Sequence, residues 1–358
     1  MRLRPFFAAG AAVLLCAFLA SCASTEAEEA PQEAAAEPPS PAEASPTTEE
    51  ADDSGAPSDG PEKAPLGEPV GWAAVPLATD GGEELPELSG GAEGETVTAD
   101  SAEELAEYLT AEEPLVVEVS GRIDLDGDVE VGSHKTLTGV GEEDGDWAEL
   151  TGGGLVIDGS RNVVVHNVLV EAEKTALSVR GDSSYVWIHG STFEGGEGPL
   201  VSITGGADLV TLSWNHFREA ESALVIGGED EEPGRLRVTV QQNYFDGTAR
   251  NNPRVRNAAQ VDVFSNYFRA NGEYGVQSEY GSEVAVTGNY FDGAKRSVTV
   301  DENNPGDAEA NGNLLVDTAQ PDNQGTVEDP PYTVYMSPAR DIPDIITAGA
   351  GVGGVRWG

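Results

Sequence analysis

The sequence predicts an all-β chain wound as a right-handed, single-stranded parallel β-helix with a short N-terminal capping helix. Three observations carry this. A small polar residue returns at Asn167, Ser191, Asn215, Asn243, Asn266, Asn289 and Asn313, with spacings of 24, 24, 28, 23, 23 and 24 residues. Alternating β-branched segments precede most of these positions: Val163–Val165, Val186–Ile188, Val210–Leu212, Val238–Val240, Val261–Val263 and Val284–Val286. Two residues after each polar position stands an apolar or aromatic one: Leu169, Phe193, Phe217, Phe245, Phe268, Phe291 and Leu315. A fixed period of this length belongs to stacked coils rather than to a closed globular sheet.

Residues 1–22 read as an export signal, with Arg2 and Arg4 before an apolar run from Phe6 to Leu19. The run ends in Leu19-Ala20-Ser21-Cys22, which resembles a bacterial lipoprotein box. That resemblance implies cleavage before Cys22 and a lipid on its thiol, and so a cell-surface protein anchored to a bacterial membrane; an ordinary secretory signal is the alternative. Cys16 lies inside the signal, so the mature chain keeps only Cys22 and forms no internal disulfide. Residues 23–69 are Ala, Glu, Pro, Ser, Thr and Asp with almost no aliphatic bulk. Such a stretch cannot bury enough apolar area to offset chain entropy and reads as a disordered acidic tether. The folded domain is expected over residues 70–358.

Within it, Ala102–Leu109 is the one clear amphipathic helix. Asp100 or Ser101 serves as N-cap, Glu103 and Glu104 sit in the first turn, and Leu105 and Leu109 form an apolar pair one turn apart. Strands follow at Leu115–Val119, Val129–Val131 and Leu137–Val140, and the periodic region is expected to begin at Gly152. Each period holds about three short strands with Gly, Asp, Asn and Ser at the turns. Like residues should stack inside, and the recurring asparagines should form a ladder, each amide bonded to its equivalents one coil above and below. The longest period fits an insertion at Gly228-Glu229-Asp230-Glu231-Glu232-Pro233, which should bulge from a corner, either to line a groove or as a solvated loop.

The formal charge is −45, from 64 Asp and Glu against 19 Lys and Arg. A surface this negative repels phosphates, which excludes nucleic acid as a partner. The charge fits adaptation to high salt, or an acidic lineage carrying an acidic tether. His134, His166, His189 and His216 lie in four separate segments, so no histidine-based metal site is expected. His166 and His216 flank ladder positions, and His189 should face either the core or the groove.

A series of fragments then resembles one family. In order they are Gly71-Trp72-Ala73-Ala74-Val75, Gly94-Glu95-Thr96-Val97-Thr98, the stretch from Val131 to Gly141, Gly152-Gly153-Gly154-Leu155, Val186-Trp187-Ile188, the stretch from Val210 to Phe217, Pro253-Arg254-Val255-Arg256 and Ala348-Gly349-Ala350-Gly351. Together they resemble the pectate lyases, from about residue 71 to 353. The resemblance implies a pectate-lyase-like parallel β-helix and β-elimination on polygalacturonate, an acidic polysaccharide. It implies calcium as cofactor, bound to the uronate carboxylate so that the C5 proton becomes acidic, an arginine as base, and a lysine with a second arginine gripping the carboxylate. Arginine serves as a base only where its surroundings strongly depress its pKa.

Carried over position by position, most of the chemistry is replaced. The base position, two residues before Pro253, is Asn251, which has no titratable group near neutrality. Arg250 stands one residue away, and Arg256 matches the second arginine, with Arg254 beside it. The lysine position is Ser222. The calcium carboxylates fall at Gly198 and Ser202, with Thr175 and Glu173 near the others. Calcium needs several oxygen ligands with negative charge among them, which this set does not supply. Glu194, Glu197, Asp230 and Glu231 are candidates for a relocated metal or are solvated loop charges. A basic strip on adjacent coils would take Arg250, Arg254, Arg256, Arg269, Lys295 and Arg296. Three readings follow: a pectate-lyase-family protein acting on polygalacturonate-like polysaccharide with altered catalytic residues, an inactive surface glycan-binding lipoprotein on the same fold, and a structural or adhesive lipoprotein that uses the solenoid as a spacer; a monomer is expected in each.

Overall fold

The computed structural model describes residues 67–76, 87–141 and 147–354. The chain divides between Pro57 and Ser58 into two units, and every described residue lies in the second. The expected signal peptide, Cys22 and nearly all of the tether lie outside the described residues.

The described residues wind into a parallel solenoid. Each complete coil gives one strand to each of three sheets, of ten, eight and nine strands, and all strand neighbours are parallel. The ten-stranded sheet carries the β-branched runs in register, as in Val163, Val186, Val210, Val238, Val261 and Val284. The coils begin earlier than the periodicity indicated: Glu95–Ala99 already pairs with Leu115–Ser120. The helix inserted between these two strands breaks the period there, so no regular spacing marks the first coils. That helix runs Ala102–Thr110, capped by Ser101, whose side chain accepts the Glu104 N–H at 3.3 Å. Leu105 and Leu109 are fully buried and close the end of the core.

The core is a column of stacked like residues. Phe193, Phe217, Phe245, Phe268 and Phe291 are all fully buried, with successive ring centroids 5.6, 4.9, 4.9 and 4.3 Å apart. One coil spacing is about 4.8 Å, close to the stacking distance of aromatic rings, so the backbone repeat itself sets the contact. The ladder forms as expected at the corner between the ten- and nine-stranded sheets. Nδ2 of Asn215, Asn243, Asn266 and Asn289 each donates to Oδ1 of the next asparagine at 3.0 Å. Ser191 interrupts the relay: its backbone N–H is bonded by Asn215 Oδ1 at 3.1 Å, while its hydroxyl bonds the His189 and Val168 backbone.

Two segments clasp the outer face of the ten-stranded sheet. A short 3-10 turn, Gly71–Ala74, lays Trp72 on that face beside Tyr185, Trp187 and Leu209. Trp72 Nε1 donates to Asp262 Oδ2 at 2.8 Å, and the Tyr332 hydroxyl from the C-terminal segment donates to the same oxygen at 2.6 Å. Burial pushes the Asp262 carboxyl above its ordinary value, against the pull of the Tyr332, Gln260 and Trp72 donors. Trp72→Phe keeps the ring and removes one donor to this buried acid, so it should cost about 2 kcal/mol of stability, read as a lower urea midpoint at unchanged slope.

The histidines sit differently from one expectation. His189 faces neither the core nor the groove. It shares the outer face of the ten-stranded sheet with Trp187, whose ring is 4.6 Å away, and stacks on His166 at 5.5 Å. The alternation along Ser184–His189 decides this, because Val186 and Ile188 take the core side.

Candidate functional site

The outer face of the eight-stranded sheet carries a row in register: Ser178, Ser202, Val225, Arg254, Gln277 and Thr299. Their neighbours Val179, Ile203, Ile226 and Val255 point inward. The strand Arg254–Arg256 is reached through Asn251, in the left-handed region at φ 57°, and a cis peptide between Asn252 and Pro253. Asparagine enters that region more readily than most side chains do.

At the base position the amide of Asn251 is engaged at both ends. Its Nδ2 donates to Ser222 Oγ at 2.7 Å, and its Oδ1 accepts from the Tyr274 hydroxyl at 2.5 Å. Asn251 and Ser222 are both buried. Burial first of all pushes the Tyr274 phenol up to about 12, so it stays protonated and remains a donor across the neutral range. The two positions that the resemblance gives to a lysine and a base arginine therefore touch each other as a neutral hydrogen-bonded pair. Arg250 forms an isolated bridge with Ser222 in the adjacent coil. Its side chain is half exposed, with Nη2 3.6 Å from Glu221 Oε2.

Arg254 and Arg256 converge on one buried carboxylate that the sequence reading missed. Arg254 Nε and Nη2 donate to Glu279 Oε2 and Oε1 at 3.0 and 2.8 Å, and Arg256 Nε donates to Oε2 at 2.8 Å. Glu279 is 1% exposed. Burial works against the charge on Arg254, and the bonds to Glu279 outweigh it, so its pKa lies above the ordinary value. The Arg256 guanidinium lies 5.9 Å over the Tyr280 ring, and its Nη1 is 3.9 Å from Glu229 Oε1. A signal for Glu279 did exist: it stands one period after Arg256 and pairs with it in register.

The expected basic strip does not assemble as one face. Arg269 stands on the nine-stranded sheet, bonded to Asp246 at 2.9 Å and to the Tyr244 hydroxyl at 3.2 Å. Its place in the coil, three residues after a ladder asparagine, assigns it to that sheet, whereas Arg254 and Arg256 lie on the eight-stranded one. Arg296 lies at the edge of the eight-stranded sheet, 3.5 Å from Asp322, and Lys295 precedes it as an exposed residue.

The positions that the resemblance gives to calcium are poor in carboxylates. Glu173 is exposed, and Thr175, Gly198 and Ser202 bring two hydroxyls and no carboxylate. A Cβ at Gly198 would stand 3.0 Å from Thr175 Oγ1, so a carboxylate side chain there would require the threonine to shift. This donor set does not fit calcium. Two of the four relocated candidates are otherwise engaged. Glu194 pairs with Arg218, and the Glu231 carboxylate accepts the Gly205 and Gly206 N–H groups at 2.7 and 3.1 Å. Among the described residues no group of three or more His, Cys, Asp or Glu is placed to hold a metal ion.

The sequence model of the pectate lyases, described as "Pectate lyase", matches residues 70–336. The pectate trisaccharide-lyase of Thermotoga maritima is 31% identical over 242 residues, which are 62% of this chain and 60% of that protein. The chain thus spans three fifths of the length of that relative. The pectate trisaccharide-lyase of Bacillus licheniformis is 24% identical over 309 residues, 80% of this chain and 86% of the relative. Among solved structures, the pectate lyase of Bacillus sp. N165 in complex with trigalacturonate superposes with a TM-score of 0.67 at 25% identity, covering 80% of this chain and 99% of that one. With three quarters of its length matched by the family model and the same coil architecture, the chain belongs to the pectate lyase family.

Proposed function

We propose that this chain binds polygalacturonate-like acidic polysaccharide along its eight-stranded sheet without cleaving it. The observation that carries this reading is the Asn251 amide, held by Ser222 on one side and Tyr274 on the other. β-Elimination needs a group that takes the C5 proton and a cation that stabilises the resulting negative charge. A carboxamide takes no proton near neutrality, and the family's calcium positions offer a single carboxylate, Glu173. A polyuronate as ligand is supported by family membership and by the trigalacturonate bound to the Bacillus sp. N165 enzyme. Arg256 keeps the Nη1 edge of its guanidinium free of Glu279, beside the exposed Glu229.

The apolar run that ends in Leu19-Ala20-Ser21-Cys22 supports a place outside the cell, where we propose that the chain acts as a lipid-anchored monomer. The Cys22 thiol carries a lipid and residues 23–69 act as a tether between membrane and solenoid.

Incubation with polygalacturonate, with and without calcium, should give no rise in the absorbance of unsaturated ends at roughly 230–235 nm, the enoate product of this elimination. The protein should nonetheless be retained on immobilised polygalacturonate. Turnover that disappears in Arg250→Ala would overturn the proposal in favour of a lyase with a shifted base. Absence of retention would leave the spacer reading.

A further inference from the structure

The acidic insertion after the strand Ser222–Ile226 is fixed at both of its ends rather than solvated freely. It leaves the sheet at Gly227, at φ 74°, where a Cβ would stand 1.9 Å from the Arg256 carbonyl oxygen, so the loop starts in direct contact with the arginine strand. Asn257 Nδ2 donates to the Gly228 and Glu229 carbonyls at 2.7 and 3.2 Å. Further on, Glu231 bonds the Gly205 and Gly206 N–H groups of the preceding coil. Held between these anchors, Glu229 Oε1 stands 3.9 Å from Arg256 Nη1, on the side of the guanidinium not taken by Glu279. Glu229 is the solvent-facing partner, with its side chain 60% exposed against 16% for Arg256. Two guanidiniums are thus matched by two carboxylates, and the cluster has no surplus positive charge.

We propose that Glu229 is a built-in competitor for Arg256, so that the groove takes esterified, uncharged uronate segments in preference to ionised ones. This rests on the glycan-binding reading above and names the ligand class within it. An incoming carboxylate meets Glu229 as a like charge and has to displace it from the guanidinium. A methyl ester meets no such repulsion and accepts hydrogen bonds from the outer face of the eight-stranded sheet, where Ser202 and Gln277 stand in the same row as Arg254. An exposed pair of this kind is worth little in stability and acts mainly on selectivity.

The test uses the full chain and its Glu229→Gln variant at low ionic strength, with de-esterified polygalacturonate and highly methyl-esterified pectin as probes. The ratio of affinities, polygalacturonate over esterified polymer, should rise about fivefold in the variant, as expected for the loss of one partly screened charge contact. Glu231→Ala, which frees the loop from the preceding coil, should move the ratio the same way. Phenylglyoxal labelling of Arg256, followed by mass spectrometry, gives a readout independent of glycan and should be faster in both variants. An unchanged ratio with wild-type binding intact overturns the competitor and leaves the glycan reading standing. Faster labelling with no polymer bound by any variant upholds the cover on Arg256 and overturns the glycan reading together with the preference.

Discussion

Glu279→Ala is expected to destabilise the protein by about 3 kcal/mol, because it leaves two partly buried guanidiniums without their shared counter-charge. Arg254 would lose both of its bonds and Arg256 its Nε bond, leaving Arg256 with Glu229, at 3.9 Å and largely in water, and Arg254 with the charge of Asp301. The measurement is the urea midpoint of the variant against wild type at fixed slope. Glu279→Gln should recover part of the loss, since one oxygen still accepts. Replacing both arginines by methionine together with Glu279→Leu should be far less harmful than Glu279→Ala alone, because a buried ion cluster is costly to break and much cheaper to remove whole. If Glu279→Ala costs less than about 1 kcal/mol, the arginines are hydrated and the buried cluster does not hold the groove in shape.

Asn266→Ala should have an effect of similar size for a different reason. Its Nδ2 donates to Asn289 Oδ1, Val240 O and Phe264 O, and its Oδ1 accepts from Asn243 N and Nδ2 at 2.8 and 3.0 Å. All of this is fully buried. Alanine strands donors on one coil and acceptors on others, at about 1–3 kcal/mol per unsatisfied group, so a loss of about 4 kcal/mol is expected. Asn313→Ala is the control, because Asn313 stands at the half-exposed end of the ladder and water replaces part of what it provides. A difference of less than about 1 kcal/mol between the two variants would show that the ladder is a consequence of the coil and not a support for it.

The fold was legible because its determinants are periodic. A solenoid repeats one local solution, so a valine that faces the core in one coil faces it in the next, and the spacing of Asn243, Asn266 and Asn289 announces the stack before any coordinate is known. The first coils were less legible, since the capping helix between Glu95–Ala99 and Leu115–Ser120 interrupts the repeat. Parts of the site were readable through the family resemblance, which implies the roles of the positions held by Asn251, Ser222 and Arg256. Arg269 was misplaced because a count of charges does not say which of three sheets a residue joins; its offset from the ladder does.

By itself, then, the sequence determined the coil, the asparagine corner, the phenylalanine column and which residues stand where the family resemblance expects a lysine and a base arginine. Only the tertiary structure decided what those residues touch. That Asn251 and Ser222 bond each other, that Tyr274 closes the amide from the other side, and that Glu279 gathers both arginines are relations between adjacent coils. They depend on side-chain direction and burial at a particular register, which are set when coils stack. Periodicity tells which residues become neighbours, and the chemistry of a groove depends on which of their atoms face one another.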